Sequence, residues 1–175
     1  MACILKATTN LKRRALLALC YGCGLRVSEV AVLRVSDIDS ERHLLRVTQG
    51  KGHKDRSVII SAGLLEYLQR YWRMFRPCQW LFYSTDVSRS YSIGSVQRAF
   101  TQAKQTAGIN KIGGIHSLRH AYATHQLAAG MPIHILKQQL GHKDIHSTLR
   151  YVHWVPSYQE GKGIDLIADL AVRDE

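Results

Sequence analysis

The chain has 175 residues and 46% hydrophobic content, enough for one packed domain. Its 24 Lys and Arg against 13 Asp and Glu leave a formal charge of +11, an excess that favours a polyanionic partner, the phosphate backbone of nucleic acid above others. No apolar run approaches the ~20 residues needed to span a bilayer. The opening MACILKATTN lacks a basic start before a long apolar core, so neither a membrane partner nor a secretory leader is expected, and the cell interior is the expected compartment.

Taken in order, residues 3–6 begin an apolar run with no cap, as if the chain entered partway along a helix. Asn10 is a suitable N-cap for a helix from Leu11, whose apolar positions Leu16, Leu17, Leu19 and Cys20 continue to Gly22 and Gly24. The glycines suit a turn with unusual backbone angles. Cys20 and Cys23 form one C-x-x-C with no second pair, inside an apolar helical pattern, and read as small core residues rather than zinc ligands. A second helix is predicted from near Arg26 to about Leu33. Arg26 and Glu29 lie one turn apart there; taken alone they would be an exposed ion pair worth a few tenths of a kcal/mol.

Two short β-prone runs, 44–48 and 56–60, flank a glycine-rich polar stretch and predict an antiparallel hairpin. Lys51 stands between two glycines in that stretch, where backbone can approach a ligand closely, and Lys54 follows three residues later. Helical spacing returns from Gly63 to Phe75 (Leu64, Leu65, Leu68, Tyr71, Trp72 and Phe75), and Pro77 stops it. Trp80 to Tyr83 reads as a short strand or buried connection, and 84–92 as a loop. Ser92 can cap a helix to about Ala107, closed by Gly108, with Val96, Phe100 and Ala103 inward and Arg98 and Lys104 outward.

The remaining chemistry is concentrated in 116–151. His116 and Arg119, three apart, share a helix face. A helix from about Leu118 to Ala129 would bury Leu118, Ala121, Tyr122 and Leu127. Gly130 and Pro132 mark a break, and a second apolar run ends at Gly141. His142 follows at once, and Tyr151 comes nine residues later, after HSTLRY, which can form a further helix. The set supplies cations, hydrogen-bond donors and a phenol, which a phosphodiester needs if it is to be attacked without a metal. His120, His125, His134, His146 and His153 lack metal-ligand spacing, so no metal and no cofactor is expected. Pro156 ends the core. Residues 164–172 form an apolar helical stripe too short to be stable alone, which must pack on its own domain or on a neighbour.

Three segments, YGCGLRVSEVAVLRVSDID, HSLRHAYATHQLAAG and LGHKDIHSTLRYVH, resemble in order the three boxes of the tyrosine recombinases, also called the phage-integrase family. The resemblance covers roughly residues 11 to 155. It implies a mostly helical fold with a small antiparallel β-sheet (α+β). It also implies DNA strand exchange through a covalent 3′-phosphotyrosyl link, independent of metal and ATP. By that resemblance Tyr151 is the nucleophile, Arg26, Arg119, His116 and His142 surround the phosphate, and Glu29 buttresses the site. Lys51 is the hairpin general acid, with Lys54 the competing candidate and otherwise a phosphate contact. Arg56 and Arg98 are expected on the DNA-facing side. Double-stranded DNA is the implied partner, bound as a homo-tetramer, with a C-terminal helix within 160–175 passed to a neighbouring protomer. Family members usually carry a helical core-binding domain before the first box, and only 25 residues precede Arg26 here, so a single catalytic domain is expected. Two other readings stand beside this one: a type IB topoisomerase-like enzyme that only relaxes DNA, and a silent DNA-binding module. The intact set of six catalytic positions argues against the second.

Overall fold

The computed structural model describes residues 1–48 and 55–155. Helix α1 (Ala2–Ala7) leads to α2 (Leu11–Gly22), which starts where Asn10 accepts a hydrogen bond from the Arg13 N–H at 3.0 Å. Ala15 through Cys20 are all buried, so α2 has no solvent face along its middle. A helix apolar on every side has to be surrounded, and α2 is indeed packed by α1, α3 (Val27–Ala31), α4 (Ala62–Phe75), α5 (Ile93–Thr106) and α6 (His116–Ala128).

The expected hairpin is β2 (Leu44–Val47) against β3 (Arg56–Ile59), antiparallel, with Leu45 opposite Val58 and Val47 opposite Arg56. A third strand, β1 (Ile38–Asp39), pairs with the outer edge of β2, which the sequence reading did not include. The fold is therefore mostly helical with a small antiparallel sheet, as expected. Helix α4 begins one residue before Gly63, because the Ser61 hydroxyl caps it by accepting from the Leu64 N–H. Trp80–Tyr83 turns out to be a buried connection carrying isolated bridges: Leu81 and Phe82 are buried, and the Tyr71 hydroxyl donates to the Leu81 carbonyl at 2.8 Å. Ser92 caps α5 as predicted.

After α6 come α7 (Ile133–Leu140) and the single turn α8 (His146–Leu149). Helix α6 starts at His116, two residues earlier than its apolar pattern indicates. Ala121 is only half-buried, and Arg119 takes a buried place on the inner face instead. Buried side chains fall into two clusters. The larger surrounds α2. The smaller joins Tyr122, Ala123 and Leu127 of α6 to Leu136, Leu140, Tyr151 and Val155. Among the described residues no helix is long and apolar enough to cross a membrane. The hairpin residues Lys51 and Lys54 and the segment 160–175 lie outside the described residues.

Candidate active site

The site begins at the turn after α2. Gly24 has φ +59°, and a Cβ there would stand 2.4 Å from the Tyr122 ring, so only glycine lets the turn lie flat against α6. That approach brings the Gly24 carbonyl to Arg119 of α6, whose NH1 donates to it at 2.8 Å. Two residues on, Arg26 occupies the N-cap of α3. Its backbone N–H donates to Glu29 Oε2 at 2.7 Å and its NH1 to Oε1 at 2.9 Å. The local spacing read in the sequence thus holds, but the carboxylate is buried, with a side chain only 7% exposed.

A second guanidinium explains how that charge is tolerated. Arg56 donates from NH1 and NH2 to the two Glu29 oxygens at 2.8 and 2.9 Å, and from Nε to the Gln139 carbonyl at 2.8 Å. Its side chain is 8% exposed. This corrects the expectation that Arg56 faces DNA. Side chains alternate along a strand, so Arg56 shares a face with the buried Val58 and Ile60 and points inward. Burial pushes the Glu29 carboxyl up, but hydrogen bonds and charge from Arg56, with a smaller contribution from Arg26, outweigh it and hold the group below its ordinary value.

Helix α7 ends in a left-handed turn at Gly141, φ +63°, where the N–H groups of Gly141 and His142 return to the carbonyls of Gln138 and Lys137. The three carbonyls that follow are taken by arginines: Gln139 O by Arg56 as above, Leu140 O by Arg119 NH2 at 2.6 Å, and Gly141 O by Arg26 NH2 at 3.5 Å. The same turn delivers His142. Its Nε2 lies 3.2 Å from Arg119 NH2 and its Nδ1 2.9 Å from the hydroxyl of Thr148, a residue with no exposed surface. Burial, and then the charges of Arg119, Arg26, Arg150 and Arg56, push the His142 imidazole down to about 4. It is neutral at neutral pH. Burial, followed by the charge of Arg26, likewise lowers Arg119 to about 10, still protonated under ordinary conditions.

Tyr151 lies just past α8, its backbone N–H donating to Thr148 O at 3.0 Å. The residue is 7% exposed, its ring nearly parallel to His142 (11°, centroids 6.3 Å apart), with the His120 ring at 5.5 Å. A cavity of about 880 Å³ opens beside it, lined by His120, Thr124, Arg150, Tyr151 and Trp154 among others. His116 is the first residue of α6, exposed, one turn before Arg119. Arg98 stands exposed on α5, where it donates to Ser95 Oγ. The structure therefore gathers Arg26, Glu29, Arg119, His142 and Tyr151, with His116 one helical turn from Arg119.

Three participants were not assigned to this site by the sequence reading. Arg56 could have been found from the alternation Arg56-Val58-Ile60. Gln139, whose Oε1 accepts from the Ile59 N–H at 2.9 Å, and Thr148 carry no such signal. In chemical terms, the guanidiniums of Arg26 and Arg56 meet on Glu29, and that of Arg119 meets the His142 imidazole, with a phenol beside them. Cations in excess of their carboxylate, partly removed from water, make a site for a tetrahedral anion.

Comparison with known proteins agrees with this geometry. The phage integrase family matches residues 1–157. A putative integrase/recombinase, y4qK of Sinorhizobium fredii, is 41% identical over 152 residues, covering 87% of this chain and 48% of its own length. Tyrosine recombinase XerC 2 of Ralstonia nicotianae is 40% identical, covering 82% of this chain and 43% of its own. The chain spans about half the length of the curated relatives it matches. Among solved structures, XerA recombinase superposes with a TM-score of 0.82 at 28% identity, over 91% of this chain and 60% of that one. XerH, bound to a palindromic difH substrate, shares the fold with a TM-score of 0.78 at 21% identity, covering 91% of this chain and 49% of its own. With its boxes in order, its fold matched and its polar centre assembled, the chain belongs to the phage integrase family, the tyrosine recombinases.

Proposed function

We propose that this domain is the catalytic part of a site-specific recombinase that cleaves and rejoins double-stranded DNA through a 3′-phosphotyrosyl intermediate. The observation that carries the reading is the meeting of Arg26, Arg119 and His142 beside the Tyr151 ring. Tyr151 attacks phosphorus, its phenolic proton passes to solvent water, and the bond to the 5′ oxygen breaks. An ordinary phenol has a pKa near ~10, so attack at neutral pH depends on adjacent cations. Arg26 and Arg119 exchange their present carbonyl acceptors for the non-bridging phosphate oxygens, where charge builds as the transition state forms. His116 and His142 add hydrogen bonds. Glu29 touches no substrate: it holds Arg26 in place.

Lys51 protonates the leaving 5′ oxygen in this proposal, and Lys54 and Arg98 contact phosphates. The covalent link conserves the energy of the broken strand, so a 5′ hydroxyl from another duplex can reverse the step without ATP. A homo-tetramer on DNA supplies one tyrosine for each of the four strands cut in an exchange between two duplexes, and its place in this proposal is inside the cell, associated with the nucleoid. XerH, of the same fold, has been crystallised bound to DNA before and after cleavage.

The test uses a nicked suicide duplex built on a site that the protein selects from random-sequence DNA, resolved on a denaturing gel. The parent protein should form a covalent adduct in the presence of excess EDTA, and Tyr151→Phe should form none while binding the duplex as tightly. An adduct that survives Tyr151→Phe removes the assignment.

A further inference from the structure

The imidazole of His142 is held from both ends. Arg119 NH2 can only donate, because a guanidinium has no acceptor, so the lone pair facing it belongs to Nε2. A neutral imidazole then carries its proton on Nδ1, which points at Thr148 Oγ1, 2.9 Å away. Thr148 is fully buried, so its hydroxyl has no solvent alternative. The same residue's carbonyl accepts the Tyr151 N–H at 3.0 Å. One side chain on a single helical turn thus fixes the imidazole and, through its backbone, the start of the nucleophile's residue.

We infer that Thr148 is a positioning residue that keeps His142 in its Nδ1–H form with Nε2 bare, so that the site takes up one proton at Nε2 when a phosphate enters. This rests on the function proposed above. Before DNA arrives, the groups facing the imidazole are Arg119 from α6, Arg26 at the head of α3, Arg56 from β3 and Arg150 beyond α8, with Glu29 among them and Tyr151 stacked alongside. The cations disfavour a further positive charge. A phosphate oxygen that takes Arg119 as its own partner leaves Nε2 facing an anion. A proton from bulk solvent then binds Nε2, and no other bond forms or breaks. The imidazolium donates from Nε2 to the phosphate while Nδ1–H still rests on Thr148. An apolar residue at 148 leaves that buried N–H without an acceptor, which disfavours the doubly protonated ring most of all.

The decisive experiment is calorimetry of duplex binding in buffers of differing ionisation enthalpy, near pH ~6.5, the ordinary histidine value. The protein carries Tyr151→Phe so that no cleavage occurs. The parent should take up a proton that is missing in His142→Gln. Thr148→Ser should match the parent, and Thr148→Val should match His142→Gln. With Tyr151 restored, Thr148→Val should slow adduct formation about 10- to 100-fold, the range in which partners of a histidine's second nitrogen act. Proton uptake and adduct rate unchanged in Thr148→Val would overturn the inference. If that variant fails to fold, ¹⁵N spectra of the parent imidazole decide: a protonated Nδ1 and bare Nε2 without DNA support it, and the Nε2–H form refutes it. A parent that forms no adduct would refute the proposed function instead, and the spectra and calorimetry would still judge Thr148.

Discussion

Glu29→Gln separates a structural carboxylate from a decorative one. The Glu29 oxygens accept four hydrogen bonds of 2.7 to 2.9 Å, from the Arg26 backbone, Arg26 NH1 and both terminal nitrogens of Arg56. Glutamine retains one oxygen and turns the other into NH₂, which then meets a guanidinium N–H, donor against donor. Arg56, 8% exposed, has no water to fall back on, whereas Arg26, at 37%, does. Breaking a buried pair by removing one partner costs ~3–5 kcal/mol, and the retained oxygen puts this case at the lower end, about 3. For a domain of this size that is a fall in Tm of roughly 6–12 °C. The pH dependence sharpens the test. The folded-state carboxyl lies below its ordinary value, so its contribution is fully present above about pH 4.3, the unfolded value, and is lost as pH falls through the folded one. Melting curves of parent and Glu29→Gln should be furthest apart at neutral pH and converge in acid. No difference, or one unchanged between about pH 7 and 3, would refute the claim that this carboxylate neutralises two arginines.

Other outcomes follow from the same geometry. Gly24→Ala should destabilise by about 3 kcal/mol, combining the strain of a left-handed residue with a forced shift of Tyr122, and chemical denaturation measures it. His142 should stay neutral down to about pH 4 in ¹⁵N spectra. Because that folded value is depressed below the unfolded one, the protein should lose stability as pH falls from about 6.5 towards 4, a loss absent from His142→Gln. Lys51→Ala should be slow on ordinary DNA and recover on a duplex with a 5′-bridging sulfur, whose departure needs no proton. Equal loss on both would move the general-acid role to Lys54.

The residues proposed to touch the reacting phosphate were legible because each sits in a short motif whose spacing is set by one helix or one turn. His116 and Arg119 share a helical face, and His142 must follow the glycine that ends α7. Apart from Glu29, one turn from Arg26, the residues that hold those groups were not legible, because their meaning comes from packing between segments far apart in the chain. Arg56 looked like another basic residue in a basic chain. Its partner Glu29 lies 27 positions away, and only the strand's alternation hinted at an inward side chain. Thr148 reads as one hydroxyl among several in HSTLRY until α8 folds under His142. Strand β1 is two residues long in a polar stretch, so no periodicity could reveal it; it exists because the edge of β2 was available. Arg119 overrode the apolar pattern of α6 in a similar way, taking a buried place because carbonyls from two other segments were there to receive it.

The division of the interior into two clusters bears on how the proposed nucleophile can be released. Tyr151 packs in the smaller one, with Leu136, Leu140 and Val155, and the helical turn just before it is four residues long. Segments with few buried contacts open at a fraction of the global unfolding free energy. The region around Tyr151 can therefore fluctuate as a unit while the layers around α2 stay closed. Within the smaller cluster's own stretch, amide exchange over residues 143–155 should be faster than in α2. In the proposed reaction, a tyrosine on so light a mounting can swing away once its ester has been resolved, leaving the arginines behind on a rigid frame.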